Sequence, residues 1–394
     1  MKKITALIIV IIMIFCSCAP APEETETAEP QNEIRGVWIF YRELSMENES
    51  GGDAESFENK ISAIYDNCIK AGINTVFVHV RAFADSFYPS RIFPWSKYLT
   101  GEQGKSVDYD PLKIMIEQAH KRGLSFHAWL NPFRVQLDSD DENKLCDSNP
   151  AKKLLKEKSR AVCKTAGGIY FNPADLSAQK LILDGIREIV SGYEIDGIHI
   201  DDYFYPSTDD EIDKNEYKSY KKSGGKLTLA QWRRECVSSF VSGMYSAVKS
   251  IKSNVIVSIS PAGNIDNNLN SLFADVKEWC SKPGFCDWII PQIYFGFKNK
   301  TLPFKEAADE WSKIADTSKV TLLAGLAVYK AAAGEGEWSD ADIISRQTQY
   351  LKSCGNYGGF CCFSYSSIVS DNFNENLNAL TVITQMPSDS AGDK

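Results

Sequence analysis

The chain has 394 residues, of which 43% are hydrophobic and 24% charged, a composition typical of a globular protein with a sizeable core. The formal net charge is −9. A chain this acidic lacks the basic footprint that nucleic-acid binding requires, so the composition argues against nucleic acid as a partner.

The N-terminal residues 1–18 predict a lipoprotein signal peptide. A charged start precedes the apolar run 4–15, which is too short to span a bilayer comfortably. The run ends at Ser17 and Cys18, a small residue before a cysteine, which is typical of a lipoprotein cleavage site. We expect Cys18 to be the lipidated first mature residue, and ordinary secretion with cleavage nearby is the alternative. The protein is therefore expected outside the cytoplasm, anchored to the bacterial cell membrane through an N-terminal lipid.

Three further segments follow this leader. Residues 19–33 are rich in Pro and acidic residues and predict a disordered linker. Residues 34–380 are expected to form the folded domain, and 381–394 a flexible tail. Of the eleven cysteines, nine lie beyond the leader, and we interpret most of them as small buried apolar side chains.

Short apolar runs alternate with longer helical segments through the folded domain. The runs predict strands over 35–41, 74–80, 124–130, 196–200, 255–260, 287–295, 320–329 and 358–365. The helical segments are 56–71, 111–122, 177–192, 228–252, 269–281, 304–315 and 340–353. Such alternation indicates parallel strands with right-handed crossovers, and eight of them close a (β/α)8 TIM barrel. A doubly wound open sheet is the alternative, but the glycine turn GxGxxG expected there does not occur.

The segments that follow predicted strands are the long ones. Residues 82–110, 131–176 and 201–227 follow the second, third and fourth strands. In a barrel these βα loops emerge on the C-terminal face, where active sites lie. We therefore expect the functional residues at this end.

The stretch EIDGIHIDDYFYP over 194–206 ends a strand on two adjacent carboxylates. Since side chains alternate along a strand, outward Ile198 and Ile200 place Asp201 inward, at the mouth of the barrel. Asp202 comes where the chain leaves the strand, so its direction is free to differ. For either residue a helix cap or a loop salt bridge is the alternative role.

Two carboxylates under aromatic side chains suit the hydrolysis of glycosidic bonds. One carboxylate stabilises positive charge at the anomeric carbon and another group protonates the leaving oxygen. Tyr203 and Tyr205 follow directly and are expected to lean over the mouth. Aromatic faces of this kind stack on sugar rings.

Other strand ends supply polar side chains that recognise hydroxyl and amide groups. These candidates are Arg81, Asp85, Asn131, Arg134, Gln292, Tyr294, Lys330 and Tyr365. We expect Arg81 to pair with a nearby carboxylate, such as Asp201 or Asp202, and to hold it ionised.

Three of the four histidines fall on predicted strands, namely His79, His127 and His199. His79 and His199 belong to the same barrel layer and could approach a shared metal ion. The first strand, however, lacks the His-x-His pair of amidohydrolase-type barrels. We therefore predict no metal and no cofactor, with His199 and His79 hydrogen-bonding Asp201 and each other instead.

Several stretches together resemble the glycosyl-hydrolase-like proteins of family ten, which are bacterial surface lipoproteins with a (β/α)8 barrel. They are EIRGVWIFY, NTVFVHVRAFADSFYPSRIFPWSKYLTG, HAWLNPFRV, FNPADLSAQKLILDGIREIVSGYEIDGIHIDDYFYP, QWRREC, VIVSISPAGN and DWIIPQIYFGF, within roughly 34–370. The resemblance implies a glycoside hydrolase, and some relatives act on peptidoglycan glycan strands stripped of their peptides. It points to Asp201 and Asp202, with Arg81, Asn131, Gln292 and Tyr294 nearby.

A looser similarity to chitinase-like barrels, with their DGxDxDxE pattern, does not carry the mechanism over. His199 stands at the second Asp of that pattern and Tyr203 at the catalytic Glu. The general acid therefore stays open between Asp202 and Asp85.

We predict a cell-envelope glycoside hydrolase that cleaves a polysaccharide, possible substrates including peptide-free peptidoglycan strands. In this hypothesis Asp201 is the nucleophile or electrostatic stabiliser, and Asp202 or Asp85 is the general acid/base. A non-catalytic glycan-binding lipoprotein is an alternative, because no Glu stands at a late strand end. A metal-dependent hydrolase or deacetylase is a third possibility.

Overall fold

The computed structural model describes residues 33–370, apart from residues 48, 50, 51 and 166. The predicted signal peptide with Cys18, the linker up to residue 32 and the tail 381–394 lie outside the described residues. Residues 371–380 of the predicted folded domain lie outside them as well. No helix within the described part of the chain is both long and apolar enough to cross a membrane.

Eight parallel strands close into a barrel in which neighbours in sequence are neighbours in space. They are β1 (Ile34–Ile39), β2 (Thr75–Arg81), β3 (Ser125–Leu130), β4 (Gly197–Ile200), β5 (Ile256–Ile259), β6 (Trp288–Ile289), β7 (Thr321–Leu326) and β8 (Tyr357–Phe363). β8 pairs with β1 and completes the ring. This is the predicted (β/α)8 barrel.

Of the thirteen α-helices in the described residues, seven correspond to the predicted helical segments. They are α1 (Ala54–Lys70), α2 (Pro111–His120), α3 (Leu176–Gly192), α4 (Leu229–Ile251), α5 (Val276–Ser281), α6 (Phe304–Ile314) and α7 (Ile343–Cys354). Side-chain caps set several of their starts. Asp53, Asp110 and Asp175 each accept a hydrogen bond from a backbone N–H of the first turn, and Thr228 forms a capping box with Gln231.

One predicted strand is shorter in the structure and one predicted helix divides. The predicted strand 287–295 keeps only the two residues of β6, and Pro291, which lacks an N–H to donate, stands just beyond it. The predicted helix 269–281 is wrong, because residues 265–270 and 276–281 form separate helices around Phe273, whose φ is 53°.

The alternation of side chains separates two apolar clusters. Ile198 and Ile200 are fully buried in the larger cluster, between the strands and the helices. A smaller cluster fills the barrel interior with Trp38, Phe77, Trp129, Ile290, Leu323 and Cys361. The predicted orientation of the β4 side chains is thereby confirmed, since Ile198 and Ile200 face outward.

Gly197 allows close packing inside the barrel. A Cβ atom at this position would lie 2.1 Å from Nδ1 of His127 on the neighbouring strand. A residue with a side chain would therefore displace His127, which explains the glycine that opens β4.

A three-stranded antiparallel sheet is built into the long segment after β3. Its strands are Arg134–Leu137, Gly168–Phe171 and Val162–Thr165, with Gly168–Phe171 in the centre. The first of them begins at Arg134, close to the carboxyl end of β3, and so places a cation at the mouth of the barrel.

Candidate active site

A cleft of about 340 Å³ opens at the carboxyl ends of the strands. Its walls are mainly aromatic, and its polar lining includes two carboxyl groups, an arginine and a glutamine. The lining residues are Trp38, Phe40, Tyr41, His79, Trp129, Arg134, Leu137, Asp201, Asp202, Tyr203, Ser260, Gln292, Tyr294, Tyr329 and Phe363. Six residues predicted from the sequence lie together here: Asp201, Asp202, Arg134, Tyr203, Gln292 and Tyr294.

Asp201 lies at the bottom of the cleft and is 3% exposed. Its Oδ2 accepts hydrogen bonds from Trp129 Nε1 at 3.1 Å and from the Asn131 side-chain amide. Its Oδ1 accepts a longer one, at 3.4 Å, from the backbone N–H of Tyr203. All three donors are neutral, so no positive charge contacts this carboxyl group directly.

Burial raises the pKa of both aspartates, and the charge of Asp202 raises that of Asp201 further. For Asp201 burial is the larger cause and the charge of Asp202 the second, and together they raise its pKa to about 7. Burial also raises the pKa of Asp202, against a hydrogen bond from Gln292 that lowers it. The charge of Asp202 disfavours ionisation of Asp201, so the pair retains one proton up to about pH 7.

Arg134 supplies the positive charge nearest to the pair. Its charge lowers the pKa of both Asp201 and Asp202, although burial has the larger effect. The guanidinium stacks on the ring of Tyr203, with Cζ 3.6 Å from the ring centroid. Arg134 itself is 5% exposed, so its charge is held near the carboxyl groups.

The three buried histidines are neutral. His199 makes contacts other than those expected with Asp201 and His79. His199 Nε2 accepts from Trp38 Nε1 at 2.9 Å, which places the histidine proton on Nδ1, 2.8 Å from Ser258 Oγ. His127 packs against Phe77 and Trp288, and burial lowers its pKa to about 4. The expected contacts from His199 to Asp201 and to His79 are therefore wrong.

His79 contacts two residues that donate hydrogen bonds to Asp201. Its Nε2 lies 3.3 Å from Asn131 Nδ2, and the same amide donates to Asp201. Its ring stacks on Trp129 at a centroid distance of 3.3 Å. Asn131 and Trp129 thus connect His79 to Asp201, although Asn131 does not line the cleft.

Arg81 is not the partner of the catalytic candidates. The pairing of β2 with β3 shifts between His79 and Arg81, so a β-bulge reverses the alternation there. The Arg81 guanidinium donates to the backbone carbonyls of Phe83 and Pro132 and stacks over Phe93. The predicted ion pair with Asp201 or Asp202 is wrong for this reason.

Asp85, Tyr205, Lys330 and Tyr365 do not line this cleft either. The Tyr205 hydroxyl donates to Asp213 at 2.9 Å, and Lys330 donates to the backbone carbonyl of Tyr294 at 2.8 Å. Asp85 lies in a neighbouring cleft.

Tyr365 was expected at a strand end, but β8 stops at Phe363 and Tyr365 begins the short helix Tyr365–Ile368. Its hydroxyl accepts a hydrogen bond from Asn67 of α1 at 3.1 Å. The side chain therefore packs towards α1 and away from the mouth.

The aromatic contribution of β1 was missed by the sequence analysis. Trp38, Phe40 and Tyr41 line the cleft, and Phe363 of β8 stacks on Phe40 at 6.2 Å. Trp38 faces inward on β1 and Phe40 follows two residues later, just beyond the strand, so the alternation used for β4 would have identified them.

No group of three or more His, Cys, Asp or Glu side chains in the described part of the chain lies close enough to hold a metal ion. The metal-dependent alternative therefore finds no ligand set among these residues.

Comparisons with known proteins relate this chain to one family. The model of the family described as "Glycosyl hydrolase-like 10" matches residues 33–340. The chain is 34% identical over 340 residues to "Glycosyl hydrolase YngK" of Bacillus subtilis (strain 168), covering 81% of this chain and 66% of that protein. It is 30% identical over 334 residues to "Glycosyl hydrolase DigH" of Escherichia coli (strain K12), covering 77% and 75%. The chain thus spans about two thirds of the length of the Bacillus relative.

Among solved structures, the alpha-L-fucosidase isoenzyme 2 from Paenibacillus thiaminolyticus superposes with a TM-score of 0.56. The sequence identity is 14%, and the alignment covers 89% of this chain and 49% of that chain. At this identity the likeness shows the barrel fold alone.

Proposed function

Since the chain belongs to the glycosyl hydrolase-like 10 family, we propose that it hydrolyses glycosidic bonds in the aromatic cleft, with Asp201 and Asp202 as the reacting carboxyl groups. One observation carries this proposal: the two carboxyl groups line the same cleft at the carboxyl ends of the barrel strands. Active sites of (β/α)8 barrels lie at this face.

The shared proton supports acid/base chemistry. Hydrolysis of a glycoside requires one carboxyl group that is protonated and one that is ionised at the same pH. Burial raises the pKa of both groups, and burial together with the charge of Asp202 raises that of Asp201 to about 7. The pair therefore supplies both forms near neutral pH.

We assign the ionised role to Asp201 once a glycan is bound, although burial and the charge of Asp202 raise its pKa to about 7 in the free cleft. Trp129 and Asn131 donate to its Oδ2, and hydrogen bonds to a carboxylate favour its charged form. In this assignment Asp201 stabilises the positive charge at the anomeric carbon, either electrostatically or by forming a covalent bond.

Asp202 then provides the proton. It protonates the leaving glycosidic oxygen as the bond to the anomeric carbon breaks, and it accepts a proton from the water that completes hydrolysis. Asp85 loses this role because it lies in a separate cleft, lined by a different set of side chains.

The aromatic walls support a sugar substrate. Trp38, Tyr203, Tyr294 and Tyr329 line the cleft and offer ring faces and hydroxyl groups together. Such side chains stack on sugar rings and fix their hydroxyl groups. The proposed substrate is a glycan strand of peptidoglycan from which the peptides have been removed.

The location of the protein is part of this proposal. We propose that the signal peptide is cleaved before Cys18 and that a lipid on Cys18 anchors the chain to the outside of the cell membrane, with residues 19–33 between the anchor and the barrel. A Cys18→Ser protein recovered from the membrane fraction as fully as the wild type would contradict the anchor.

Product analysis tests the activity directly. Purified protein is incubated with amidase-treated peptidoglycan strands, with intact peptidoglycan and with chitin-type oligomers, and the products are identified by mass spectrometry. We expect shorter saccharides from the peptide-free strands. Binding of these strands without any products would instead support a non-catalytic glycan-binding protein and remove the proposed hydrolysis.

Aryl glycosides whose leaving groups need no proton distinguish the roles of the two carboxyl groups. An Asp202→Asn protein should retain much of its rate of leaving-group release from such an aryl glycoside, because that bond breaks without acid catalysis, whereas the later step that activates water should slow. An Asp201→Asn protein should lose activity on both kinds of substrate. The reverse pattern would exchange the two roles.

A further inference from the structure

A second cleft lies beside the candidate active site. It has a volume of about 340 Å³ and shares Tyr41 and Leu137 with the active-site cleft. Tyr41 stands between the two, packed against His79 at 5.7 Å on one side and against Tyr98 at 4.6 Å on the other. A chain of sugars that fills the first cleft therefore has a neighbouring cavity for another of its units.

Three positively charged side chains line this second cleft: Arg42, Lys97 and Lys144. All three are exposed, and none takes part in an ion pair within the described part of the chain. The acidic residues on the same walls are Asp85 and Asp138. In a chain of net charge −9, three unpaired cations around one cavity form a local site for a negative charge.

Asp85 adds an unused polar atom to the cavity wall. It is 2% exposed, and its Oδ2 accepts a hydrogen bond from Gln103 Nε2 at 3.1 Å, whereas Oδ1 has no partner among the described residues. Burial raises the pKa of Asp85 to about 6, which reduces its repulsion of an anion below that pH. A buried polar atom without a partner is uncommon, so Oδ1 is suited to a ligand hydroxyl group.

A cleft near the small sheet differs in its charges and serves as a comparison. Arg160 and Lys164 line it together with Glu216 and other acidic residues. Arg160 lies 4.0 Å from Glu216, and Lys164 lies 2.7 Å from Glu142. These cations are already paired, whereas those of the second cleft are not.

We propose that the second cleft is a subsite for a sugar that carries a free carboxylate, recognised by Arg42, Lys97 and Lys144, with Asp85 and Gln103 contacting its hydroxyl groups. This inference rests on the proposed hydrolysis of a peptidoglycan glycan and deepens it. In that polymer every second sugar bears a lactyl carboxyl group, which is a neutral amide where a peptide is attached.

The subsite selects strands by their charge. Removal of the peptides leaves one free carboxylate on each lactyl group, and this carboxylate pairs with the cations of the second cleft. An intact strand presents an amide at the same place, which forms no ion pair and carries a bulky peptide. The cleft therefore provides a physical reason for preferring peptide-free strands.

The test compares two substrates that differ only in this charge. Peptide-free strands are used as prepared or after their carboxylates are converted to neutral amides with a carbodiimide and ammonia. We expect the wild-type protein to favour the carboxylated strands by roughly 10-fold in kcat/KM, and this ratio to fall with added salt. The triple variant Arg42→Gln, Lys97→Gln, Lys144→Gln should bring the ratio close to one.

A matched control removes the same number of charges elsewhere. Lys70→Gln, Lys121→Gln and Lys277→Gln change three exposed lysines that do not line either cleft. This control should keep the wild-type ratio. A triple variant of the second cleft that also keeps the ratio would overturn the proposal, as would a control that loses it.

Binding separates this inference from the proposed hydrolysis. The dissociation constants of both strand types are measured by calorimetry. The Asp201→Asn protein is used, because binding can then be measured without hydrolysis of the strands. A charge-dependent difference that disappears in the triple variant supports the subsite even if no products form. Equal binding of both strand types, or tighter binding of a phosphorylated sugar than of the carboxylated one, would overturn it.

Discussion

Two buried aspartates, Asp201 and Asp213, lie on the same βα segment and have opposite surroundings. Asp213 is fully buried and accepts hydrogen bonds from Arg233 Nε at 2.8 Å, from Arg233 Nη2 at 2.7 Å and from the Tyr205 hydroxyl at 2.9 Å. Asp201 is 3% exposed, and its donors are the neutral groups of Trp129, Asn131 and the Tyr203 backbone.

The difference lies in how the charge is balanced. At Asp213 a guanidinium neutralises the carboxylate in a bidentate pair, which holds the segment against α4. At Asp201 no cation is in contact, the second carboxyl group lies nearby, and the pKa rises to about 7. A buried carboxylate with its own cation stabilises the fold, whereas one without it is available for chemistry.

The largest expected effect is on turnover at the unpaired site. We expect Asp201→Asn to reduce kcat on peptide-free strands by about 10³-fold or more, because the reacting carboxylate is lost. The measurement is the rate of product release, with circular dichroism as the check on folding. A variant within a few-fold of the wild-type rate would contradict the assignment of Asp201.

The largest effect on folding is expected at the paired site. Arg233→Met leaves Asp213 buried without its cation and should lower the free energy of unfolding by about 3–5 kcal/mol. Denaturation in urea measures this change, with Asp201→Asn as the matched comparison that removes a buried charge lacking a cation. A similar stability for Arg233→Met and the wild type would show that the pair does not hold the segment.

The two sites also differ in how stability depends on pH. The folded-state pKa of Asp201 lies above its unfolded value of 3.8, at about 7, so between these values the folded protein binds more protons than the unfolded one. The free energy of unfolding therefore falls as pH rises from about 4 to 7, by about 1.4 kcal/mol for each unit of separation. In Asp201→Asn the free energy of unfolding, measured by urea denaturation, should depend less on pH between about 4 and 7. A pH dependence as steep as that of the wild type would contradict the raised pKa of Asp201.

The smallest expected effect concerns the nearby arginine. The charge of Arg134 lowers the pKa of both Asp201 and Asp202, so Arg134→Gln should move the alkaline limb of the pH–rate profile to higher pH. We expect a shift of about one unit or less, since Arg134 does not bond either carboxyl group directly. Tyr203→Phe keeps the ring that stacks on Arg134 and serves as the control. A limb that moves to lower pH in Arg134→Gln would contradict this interpretation.

Much of the fold followed from local patterns. All eight strands could be predicted from the apolar runs, and the inward side of β4 from Ile198 and Ile200. The position of Asp201 at the mouth followed from the same alternation. Period-two patterning and the direction of parallel strands are properties of the backbone, so they are already present in the sequence.

Other site residues depended on contacts between distant segments. Asp85 was a candidate acid because it follows β2, but the fold directs it into the second cleft with Gln103. Tyr205 was expected over the mouth, but Asp213 binds its hydroxyl. Gln103 and Asp213 are both distant in sequence from the strand ends concerned. A local sequence pattern therefore cannot predict these contacts.

The sequence by itself determined the closed barrel and the presence of two adjacent carboxyl groups at its mouth, because strand alternation and strand direction are local properties. Only the tertiary structure decided which cation lies near them. A one-residue bulge turns Arg81 away from the barrel interior, and the small sheet brings Arg134 to the mouth instead. The charge balance of the pair is therefore a result of how distant segments pack.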